Sequence, residues 1–229
     1  DAEEVAELEK AGAAIDRVHE RAAELLQPGR TEREIADELH ALILEEHANV
    51  QFVIVGSGPN GSNPHHDFSD RVLEEGDPVV VDLGGALPSG YQSDCTRTHV
   101  VGDVAKAPTD FLEAYAVLER AFDAACQAAK PGITAGELDA AAREVIADAG
   151  YGEYFTHRLG HGIGLSCHEQ PFIIAGSDVV LREGMAFSIE PGIYVPGKWG
   201  MRIEDIVRMT ADGIETLNHT RRTLGGDNA

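Results

Sequence analysis

The chain has 229 residues, 43% of them hydrophobic, which is enough for one large domain with a substantial core. Forty acidic residues against eighteen basic ones give a formal net charge of −22. A charge of this sign and size argues against nucleic acids and anionic membranes as partners, because proteins bind both through basic surfaces.

Cysteine usage and the N-terminal region both favour the cytoplasm. Cys95, Cys126 and Cys167 are widely spaced and lack the short paired spacing of a zinc or redox motif, so we expect reduced, structural thiols. No apolar run approaches ~18 residues, and no basic stretch precedes an apolar core at the acidic N-terminus. We therefore predict a cytoplasmic protein that does not cross a membrane.

Apolar spacing and the content of Ala, Glu and Leu predict two pairs of helices, and the runs between them predict strands. The helices are expected over residues 2–27, 32–47, 108–129 and 135–149. The strands are expected near residues 51–55, 78–84, 91–101, 161–166, 185–192 and 202–209. Each helix pair precedes strands, which is an α/β (α+β) arrangement.

Two segments repeat the same helix-start chemistry. Residues 28–35 read P-G-R-T-E-R-E-I and residues 131–138 read P-G-I-T-A-G-E-L. Thr31 and Thr134 are the expected N-caps, each with a glutamate three residues later, so both segments match a capping box. The alternative to a true repeat is that two ordinary helix starts match by chance.

Residues suited to chemistry repeat along with the helices. Three pairs follow in the same order in the two parts of the chain: His65 and His168, Asp82 and Glu190, and Asp94 and Glu204. This parallel argues against chance as the source of the repeat. We predict two related halves, about 1–103 and 104–229, that pair around a central site.

Five side chains of metal-ligand type lie in or beside strand-like apolar runs: Asp82, Asp94, His161, Glu190 and Glu204. Four carboxylates and one imidazole form a hard, oxygen-rich set that suits two divalent cations roughly 3.5–4 Å apart. Burying so many acids for another purpose would be costly. Single members have other interpretations: Asp82 alone is typical of a turn, and Arg202 would share a strand face with Glu204 as its ion-pair partner.

The remaining histidines and the tryptophan are expected to lie outside the core of the site. His19, His40, His47 and His219 occur in helical or terminal contexts without partners, so we expect ordinary surface histidines. His66 is expected to be structural. Trp199 is expected on a loop near Glu204, where it would shape a substrate pocket.

Five ordered motifs carry a resemblance to a known family: V-V-V-D-L-G-G, G-Y-Q-S-D-C-T-R-T, T-H-R-L-G-H-G-I-G-L-S-C-H-E, I-E-P-G-I-Y and M-R-I-E-D. Over essentially the whole chain they resemble the pita-bread metallopeptidases, most closely the Xaa-Pro aminopeptidase and prolidase branch. The resemblance implies a duplicated pita-bread fold, two divalent metal ions and a homodimer. Carboxylate-rich ligation favours manganese, with cobalt and zinc as alternatives.

The resemblance also implies how the metals are held and used. Asp82 would bind one metal, Asp94 and Glu204 would bridge both, and His161 with Glu190 would complete the other. A bridging hydroxide would attack the scissile carbonyl group of a peptide. Glu190 would serve as the proton shuttle in this scheme.

Further residues acquire catalytic or substrate-binding roles from the same resemblance. His168 would stabilise the tetrahedral intermediate, and His65 and His157 would contact substrate and supply hydrogen-bond donors. Tyr194 and Arg202 would complete the substrate-binding set. For Tyr194, plain packing on a half-buried strand is the alternative.

The motifs together predict a metal-dependent exopeptidase that cleaves the bond between an N-terminal residue and proline, in dipeptides or longer peptides. A methionine aminopeptidase is one alternative, although T-H-R-L-G-H and R-I-E-D differ from the flanks typical of that subfamily. A C–N hydrolase of a small non-peptide amide and a non-catalytic binding relative are the others. The branch commonly carries a separate N-terminal domain, which would lie outside this chain.

Overall fold

Two helices lead each half of the chain in the computed structural model, which describes residues 1–225. The helices are α1 Ala2–Leu25, α2 Glu32–Glu46, α3 Thr109–Ala128 and α4 Ala135–Asp148. The four helices predicted from apolar spacing are confirmed, and their ends agree to within two residues. None of the helices in this part of the chain is both long and apolar enough to cross a membrane.

The repeated helix starts adopt the same structure in both halves. The Thr31 hydroxyl accepts a hydrogen bond from the Glu34 backbone N–H at 3.2 Å, and the Glu34 carboxylate accepts one from the Thr31 N–H at 2.8 Å. Thr134 and its glutamate make the same two contacts at 3.2 and 2.9 Å. Each threonine also forms an isolated β-bridge, to Val72 and to Val180 respectively. The duplication therefore extends beyond a shared capping box.

The first half folds into a three-stranded antiparallel sheet in the order β1-β2-β3. Its strands are β1 Asn49–Ser57, β2 Pro78–Ala86 and β3 Gln92–Val100. Every residue of β2 and β3 is buried, because α1 and α2 pack on this sheet while the second half of the chain lies against it.

The second half forms a five-stranded sheet in the order β10-β9-β6-β4-β5 and a separate two-stranded hairpin, β7-β8. Its strands are β4 Gly160–Gly162, β5 Glu169–Ile173, β6 Ala186–Ile189, β7 Gly192–Val195, β8 Trp199–Arg202, β9 Asp205–Met209 and β10 Ile214–Thr216. The predicted strand 161–166 was too long. The predicted strands 185–192 and 202–209 were each wrong as single elements, and β5 and β10 were not predicted.

The two broken strands are interrupted at acidic residues. β6 ends before Glu190, whose N–H donates to the Leu159 carbonyl at 2.8 Å, and Pro191 follows with no N–H for a sheet ladder. Between β8 and β9, the N–H of Glu204 donates to the Thr96 carbonyl of the first half at 3.1 Å. Both breaks use contacts with distant parts of the chain, which a local pattern does not reveal.

Each half has its own hydrophobic core. In the first half, Ile15 of α1 and Ile35 of α2 are fully buried in one cluster with Leu83 of β2. In the second half, a larger cluster joins α3 and α4 to the sheet and includes Phe111 and Phe187. One helix pair therefore covers one sheet in each half, as layered α/β packing requires.

Polar contacts of buried groups join the halves. Arg97 of β3 donates to the Glu204 carbonyl at 2.7 Å and to the Asp205 carboxylate at 2.6 Å. The Thr98 hydroxyl donates to the Arg202 carbonyl at 2.8 Å, and the Arg202 N–H donates back to that hydroxyl at 3.0 Å. These contacts align β3 with the junction of β8 and β9, so polar residues from the two halves meet there.

Two of the histidines expected on the surface are buried, so that prediction was wrong for His19 and His47. The His19 Nε2–H donates to the Cys95 carbonyl at 2.8 Å, and His47 Nε2 lies 2.9 Å from the Ser93 hydroxyl. Both side chains thereby fasten helical segments to β3. His40 and His219 are exposed, as expected.

Stability should fall in mild acid because of His19. Burial lowers the pKa of His19 to about 3 from its ordinary value of 6.5. As pH drops below 6.5, the unfolded chain binds a proton that the folded chain does not, so the free energy of unfolding decreases by about 1.4 kcal/mol per pH unit. His19→Gln should remove this component. Urea unfolding at about pH 7.5 and about pH 5.5 measures it.

His40→Gln is the matched control, because His40 is exposed on α2. It should retain the wild-type difference in unfolding free energy between the two pH values. An identical pH dependence in His19→Gln and wild type would contradict the account of His19.

Candidate metal centre

Two carboxylates of the first half project from the same face of its sheet. In the antiparallel register Asp82 of β2 lies opposite Thr96 of β3, and Asp94 is two residues before Thr96. Side chains two residues apart on a strand point to the same face, so the Asp82 and Asp94 carboxylates converge. Both residues are buried.

Three residues of the second half approach the Asp82 and Asp94 carboxylates. One is in the middle of a strand, and the other two lie where strands are interrupted. His161 is the middle residue of β4, Glu190 directly follows β6, and Glu204 lies between β8 and β9. A carboxylate at a break is free of the strict alternation of a strand, so it can turn toward the site. The interruptions of the predicted strands therefore position two of the five expected ligands.

The ligand atoms form three overlapping groups in which all atoms lie within 4.8 Å of one another. The groups are Asp82, Asp94 and Glu204; His161, Glu190 and Glu204; and Asp94, His161 and His168. Asp94, His161 and Glu204 each belong to two of the groups, and of these three only the carboxylates have two oxygens with which to bridge two cations. Sharing of this kind is what bridging ligands between two cations require.

The His161 ring is oriented for ligation. Its Nδ1 lies 3.1 Å from the Gly162 carbonyl, which can only accept a hydrogen bond, so Nδ1 carries the proton of the neutral ring. Nε2 faces Glu190 Oε1 at 3.2 Å and Asp94 Oδ2 at 3.5 Å. Although burial opposes the shift, these two carboxylates raise the pKa of His161, so a protonated Nε2 donates to Glu190. A cation held between these carboxylates would replace that proton and bind the Nε2 lone pair. The carbonyl contact to Nδ1 is the usual outer support of a ligating histidine.

Burial of this many acids shifts their pKa values strongly. Burial, reinforced by repulsion from neighbouring carboxylates, raises the pKa of Asp94 and of Glu204 well above its usual range. Burial also raises the pKa of Asp82, although Arg202 opposes the shift. For Glu190, burial is outweighed by the hydrogen bond to His161 and by nearby positive charges, which lower its pKa to about 2.

Two buried oxygens without partners also fit a site for metal ions. Within residues 1–225, Asp82 Oδ1 and Glu204 Oε1 are buried and lack a hydrogen-bond partner. Buried polar atoms of folded proteins normally have partners, and an isolated buried carboxylate is very unfavourable. Oxygen-rich ligation by carboxylates and one imidazole suits divalent cations. The residues therefore fit a site for such ions.

Arg202 supplies the counter-charge on one side of the site. Its guanidinium donates to Asp82 Oδ2 at 2.6 Å, to the Thr96 hydroxyl at 2.9 Å and to the Tyr194 hydroxyl at 2.7 Å. The Thr96 hydroxyl in turn donates to Glu204 Oε2 at 2.7 Å. Arg202 thus holds the candidate ligand Asp82 directly, and its donors are engaged with protein groups.

Tyr194 extends this chain to His157. The Tyr194 hydroxyl accepts from Arg202 and lies 2.9 Å from His157 Nε2, while His157 Nδ1 lies 2.7 Å from the Arg158 carbonyl. Burial lowers the pKa of His157 to about 4 and raises the pKa of Tyr194 to about 12, so both are neutral at pH 7. The carbonyl fixes the proton on Nδ1, and the Tyr194 hydroxyl donates to Nε2.

The loop that carries His65 is tied to the buried carboxylate of Glu32. That carboxylate accepts hydrogen bonds from the backbone and hydroxyl groups of Ser57 and Ser69, at 2.6 to 2.8 Å. His66 Nε2 also lies 2.8 Å from it, so His66 points away from the site, as expected. The exposed His65 of this loop lines the same cavity as the candidate ligands.

A cavity of about 330 Å³ unites these groups. Nine of the ten expected site residues line it: His65, Asp82, Asp94, His157, His161, His168, Glu190, Arg202 and Glu204. The tenth, Tyr194, does not line the cavity, but its hydroxyl contacts His157 and Arg202. Trp199 was expected on a loop at the pocket, but it is buried in β8 with its ring 5.7 Å from that of Phe111.

Sequence reasoning missed several residues that support or line the site. Thr96 connects Arg202 to Glu204, and the Ser188 hydroxyl lies 3.0 Å from both Glu190 Oε1 and the His161 backbone nitrogen. Each lies two residues from a ligand in sequence, so strand periodicity provided a usable signal. The cavity walls formed by Phe52, Ile54, Pro64, Asp67 and Arg158 had no comparable signal.

The fold and the grouped carboxylates define an α/β protein with a buried site for divalent cations. The model of metallopeptidase family M24 matches residues 6–211, and the chain belongs to this family.

Relatives of known name agree with the family. The probable dipeptidase PepE of Mycobacterium tuberculosis is 57% identical over 222 residues, which cover 96% of this chain and 58% of that protein. The crystal structure of dipeptidase PepE from Mycobacterium ulcerans superposes with a TM-score of 0.95 at 55% identity, covering 98% of this chain and 60% of that one.

A more distant structure gives the same result. The prolidase from Pyrococcus furiosus superposes with a TM-score of 0.92 at 43% identity, over 97% of this chain and 65% of that one. These likenesses confirm the duplicated pita-bread fold and the family predicted from the motifs. The chain spans about three fifths of the length of such relatives.

Metal binding should depend on Glu204 more than on His168. Glu204 belongs to two of the ligand groups, so Glu204→Gln should abolish tight binding of both ions. His168→Ala should still bind two ions, because the five other side chains remain. Metal content after dialysis against manganese and then buffer, measured by mass spectrometry, checks both variants.

Thermal unfolding supplies an independent measurement. Manganese at about a hundred times its Kd should stabilise chelated wild type and His168→Ala by about 2.7 kcal/mol for each tightly bound ion, and should not stabilise Glu204→Gln. Two tightly bound ions in Glu204→Gln would refute the bridging role of this glutamate.

Proposed function

We propose that this chain carries the active site of a metal-dependent exopeptidase that hydrolyses the bond between an N-terminal residue and proline. The main support is one observation: four buried carboxylates and His161 meet at metal-ligand spacing in a cavity that also presents His65, His157 and His168. The names of the similar proteins, dipeptidase and prolidase, favour a short peptide as substrate.

Two divalent ions fit the proposal, and manganese is favoured because most of the ligand atoms are carboxylate oxygens. Asp82, Asp94 and Glu204 would hold one ion, and His161, Glu190 and Glu204 the other, with Asp94 also contributing to the second. When bound, the ions would supply Lewis acidity toward the scissile carbonyl group and lower the pKa of water. Cobalt and zinc are the alternatives, but their preference for carboxylate oxygens is weaker.

The side chains have separate tasks in this proposal. Glu190, ionised at pH 7, is the proton acceptor at its carboxylate. Its Oε1 is oriented by His161 and Ser188. His168 stands beside His161, with ring centroids 4.2 Å apart, and its exposed ring is free to donate a hydrogen bond to the oxygen on which negative charge develops.

His65 and His157 would orient the substrate from two separate segments of the chain. His65 lines the cavity from the loop anchored by Glu32, and His157 lines it from the segment before β4. The hydrogen-bond chain through Tyr194 and Arg202 holds the His157 ring in place. This rigidity would position a proline ring and the scissile bond.

Assembly and location follow the family resemblance. We propose a homodimer located in the cytoplasm, in keeping with three free cysteines among the described residues. The division into halves at about residue 103 and an additional N-terminal domain stay predictions.

Substrate choice is the direct test of the proposed function. Chelated protein resupplied with manganese should hydrolyse Ala-Pro, whereas Ala-Ala and Met-Ala-Ser should be cleaved at least about tenfold more slowly. Chelation alone should abolish hydrolysis, because the ligands would lack their ions. Release of free amino acids, followed by chromatography, measures each rate.

Other outcomes of this assay point elsewhere. Preferential cleavage of Met-Ala-Ser would indicate a methionine aminopeptidase. An absence of cleavage of every peptide despite two bound ions would contradict the proposal and direct attention to small non-peptide amides.

His168→Ala should slow turnover while leaving the metal site intact. Loss of one donor to a developing oxyanion lowers kcat by roughly 10²–10³-fold, with a smaller effect on KM. Steady-state kinetics on Ala-Pro with measured metal content checks this expectation. His40→Ala is a control on an exposed helix residue, and an equal fall in kcat in that variant would remove the special role of His168.

A further inference from the structure

A buried ion pair on α4 takes no part in the proposed chemistry. The Asp139 side chain is fully buried, and Arg143 follows one helical turn later. Arg143 donates through Nε to Asp139 Oδ2 at 2.7 Å and through Nη2 to Asp139 Oδ1 at 2.9 Å. Two parallel hydrogen bonds of this kind fix the direction of a guanidinium as well as its position. Neither residue lines the cavity of the metal centre.

The two halves of the chain show that helix packing does not require this pair. Counted from the threonine N-cap of each helix, Asp139 of α4 corresponds to Ala36 of α2, which is also buried. Arg143 corresponds in the same way to His40, which is exposed. A small apolar residue thus suffices at the buried position, whereas a buried carboxylate has a desolvation cost that only its partners offset. The pair therefore indicates a role beyond helix packing.

Arg143 holds the segment that carries His157. Its Nη1 donates to the Phe155 carbonyl at 2.9 Å, and its Nη2 donates to the His157 carbonyl at 2.8 Å. Its guanidinium carbon also lies 4.1 Å from the centre of the Phe155 ring. The same ring meets the His157 ring edge to face, with centroids 5.2 Å apart and planes at 90°. Arg143 thus restrains the backbone of His157 and, through Phe155, its imidazole ring.

This segment needs such support, because it lies between a short helical turn and β4 and belongs to no helix or strand. The next alternate residue, Leu159, donates its N–H to Asp139 Oδ1 at 3.0 Å. The pair therefore contacts alternate residues along the segment, as a neighbouring strand would do in a sheet. A side chain that binds substrate must be held within about 0.5 Å of its working position.

We propose that Arg143, oriented by Asp139, is a positioning residue that holds His157 where it contacts substrate. This inference rests on the proposed proline-peptide hydrolysis, in which His157 orients the substrate. Because Arg143 acts through His157, loss of the pair should weaken hydrolysis only while His157 is present. A pair that only stabilised α4 would show no such dependence.

A double substitution removes the guanidinium without leaving a buried charge unpaired. In Asp139→Asn/Arg143→Met the asparagine keeps an oxygen that can accept from the Leu159 N–H, so the lost contacts are those with Phe155 and His157. In manganese-loaded protein, kcat/KM for Ala-Pro should fall about 10- to 100-fold, as for a misplaced substrate-binding group. Arg143→Lys should lose less, because an ammonium keeps the charge beside Asp139 without the fork that reaches two carbonyls. Metal content should stay at the wild-type level in both variants.

The same double substitution in a His157→Ala background separates positioning from stability. If the pair acts through His157, the further loss in kcat/KM should be less than about twofold. Equal fold-changes in the two backgrounds would overturn the inference, and so would wild-type kcat/KM in Asp139→Asn/Arg143→Met. Arg120→Met is the control, because Arg120 is exposed on α3 and donates to the Ala116 carbonyl of its own helix.

Nuclear magnetic resonance of the chelated protein gives a reading without turnover. The His157 Nδ1–H donates to the Arg158 carbonyl, so wild type at pH 7 should show its imidazole N–H signal, identified by its loss in His157→Ala. In Asp139→Asn/Arg143→Met we expect this signal to shift, or to vanish through faster exchange with water. An unchanged signal would overturn the inference. If wild type hydrolysed no proline peptide, the proposed function would fail, while this signal would still decide whether the pair positions His157.

Discussion

The concentration of buried negative charge is the constraint on which the rest of the structure depends. Asp82, Asp94, Glu190 and Glu204 approach one another in a region where burial raises the pKa of three of them. Arg202 offers only one formal positive charge against these four carboxylates. Isolated buried carboxylates are very unfavourable, whereas two divalent cations would balance the four charges. Membership of a metallopeptidase family agrees with this requirement.

The duplicated architecture delivers the charges to one place. Each half buries its own core between a helix pair and a sheet, so each can hold its polar residues rigidly. The first half supplies Asp82 and Asp94 from regular neighbouring strands, while the second supplies Glu190 and Glu204 where strands stop. Contacts from Arg97 and Thr98 fix the two halves in register, so ligands from both surround one volume.

Local signals explain why much of the fold was predictable from sequence. Capping boxes at Thr31 and Thr134 and the apolar period of the helices are set within a few residues, and those predictions are confirmed. Strand breaks at Glu190 and Glu204 depend on hydrogen bonds to remote carbonyl groups, so periodicity alone joined the strands wrongly. The burial of His19 likewise depends on β3 lying under α1, which no helical pattern reports.

The candidate site shows the same division between local and distant information. Its ligand types were visible because each carboxylate follows or interrupts an apolar run, and Thr96 and Ser188 share a strand face with a ligand. Arg158 gave no such signal, since an arginine beside a histidine is ordinary on a surface. Its distinction emerges only when the partners of both arginines are compared.

The two arginines of the cavity show how identical side chains acquire different surroundings. Arg202 makes close hydrogen bonds to Asp82, Thr96 and Tyr194, and these contacts hold the candidate ligand Asp82 in place. Arg158 is held instead by an aromatic ring, which restrains a cation without neutralising it. The contacts of Arg202 suit a site whose carboxylates must be held close together. One arginine therefore fixes the candidate ligands, while the buried Nε of the other has no hydrogen-bond partner within residues 1–225.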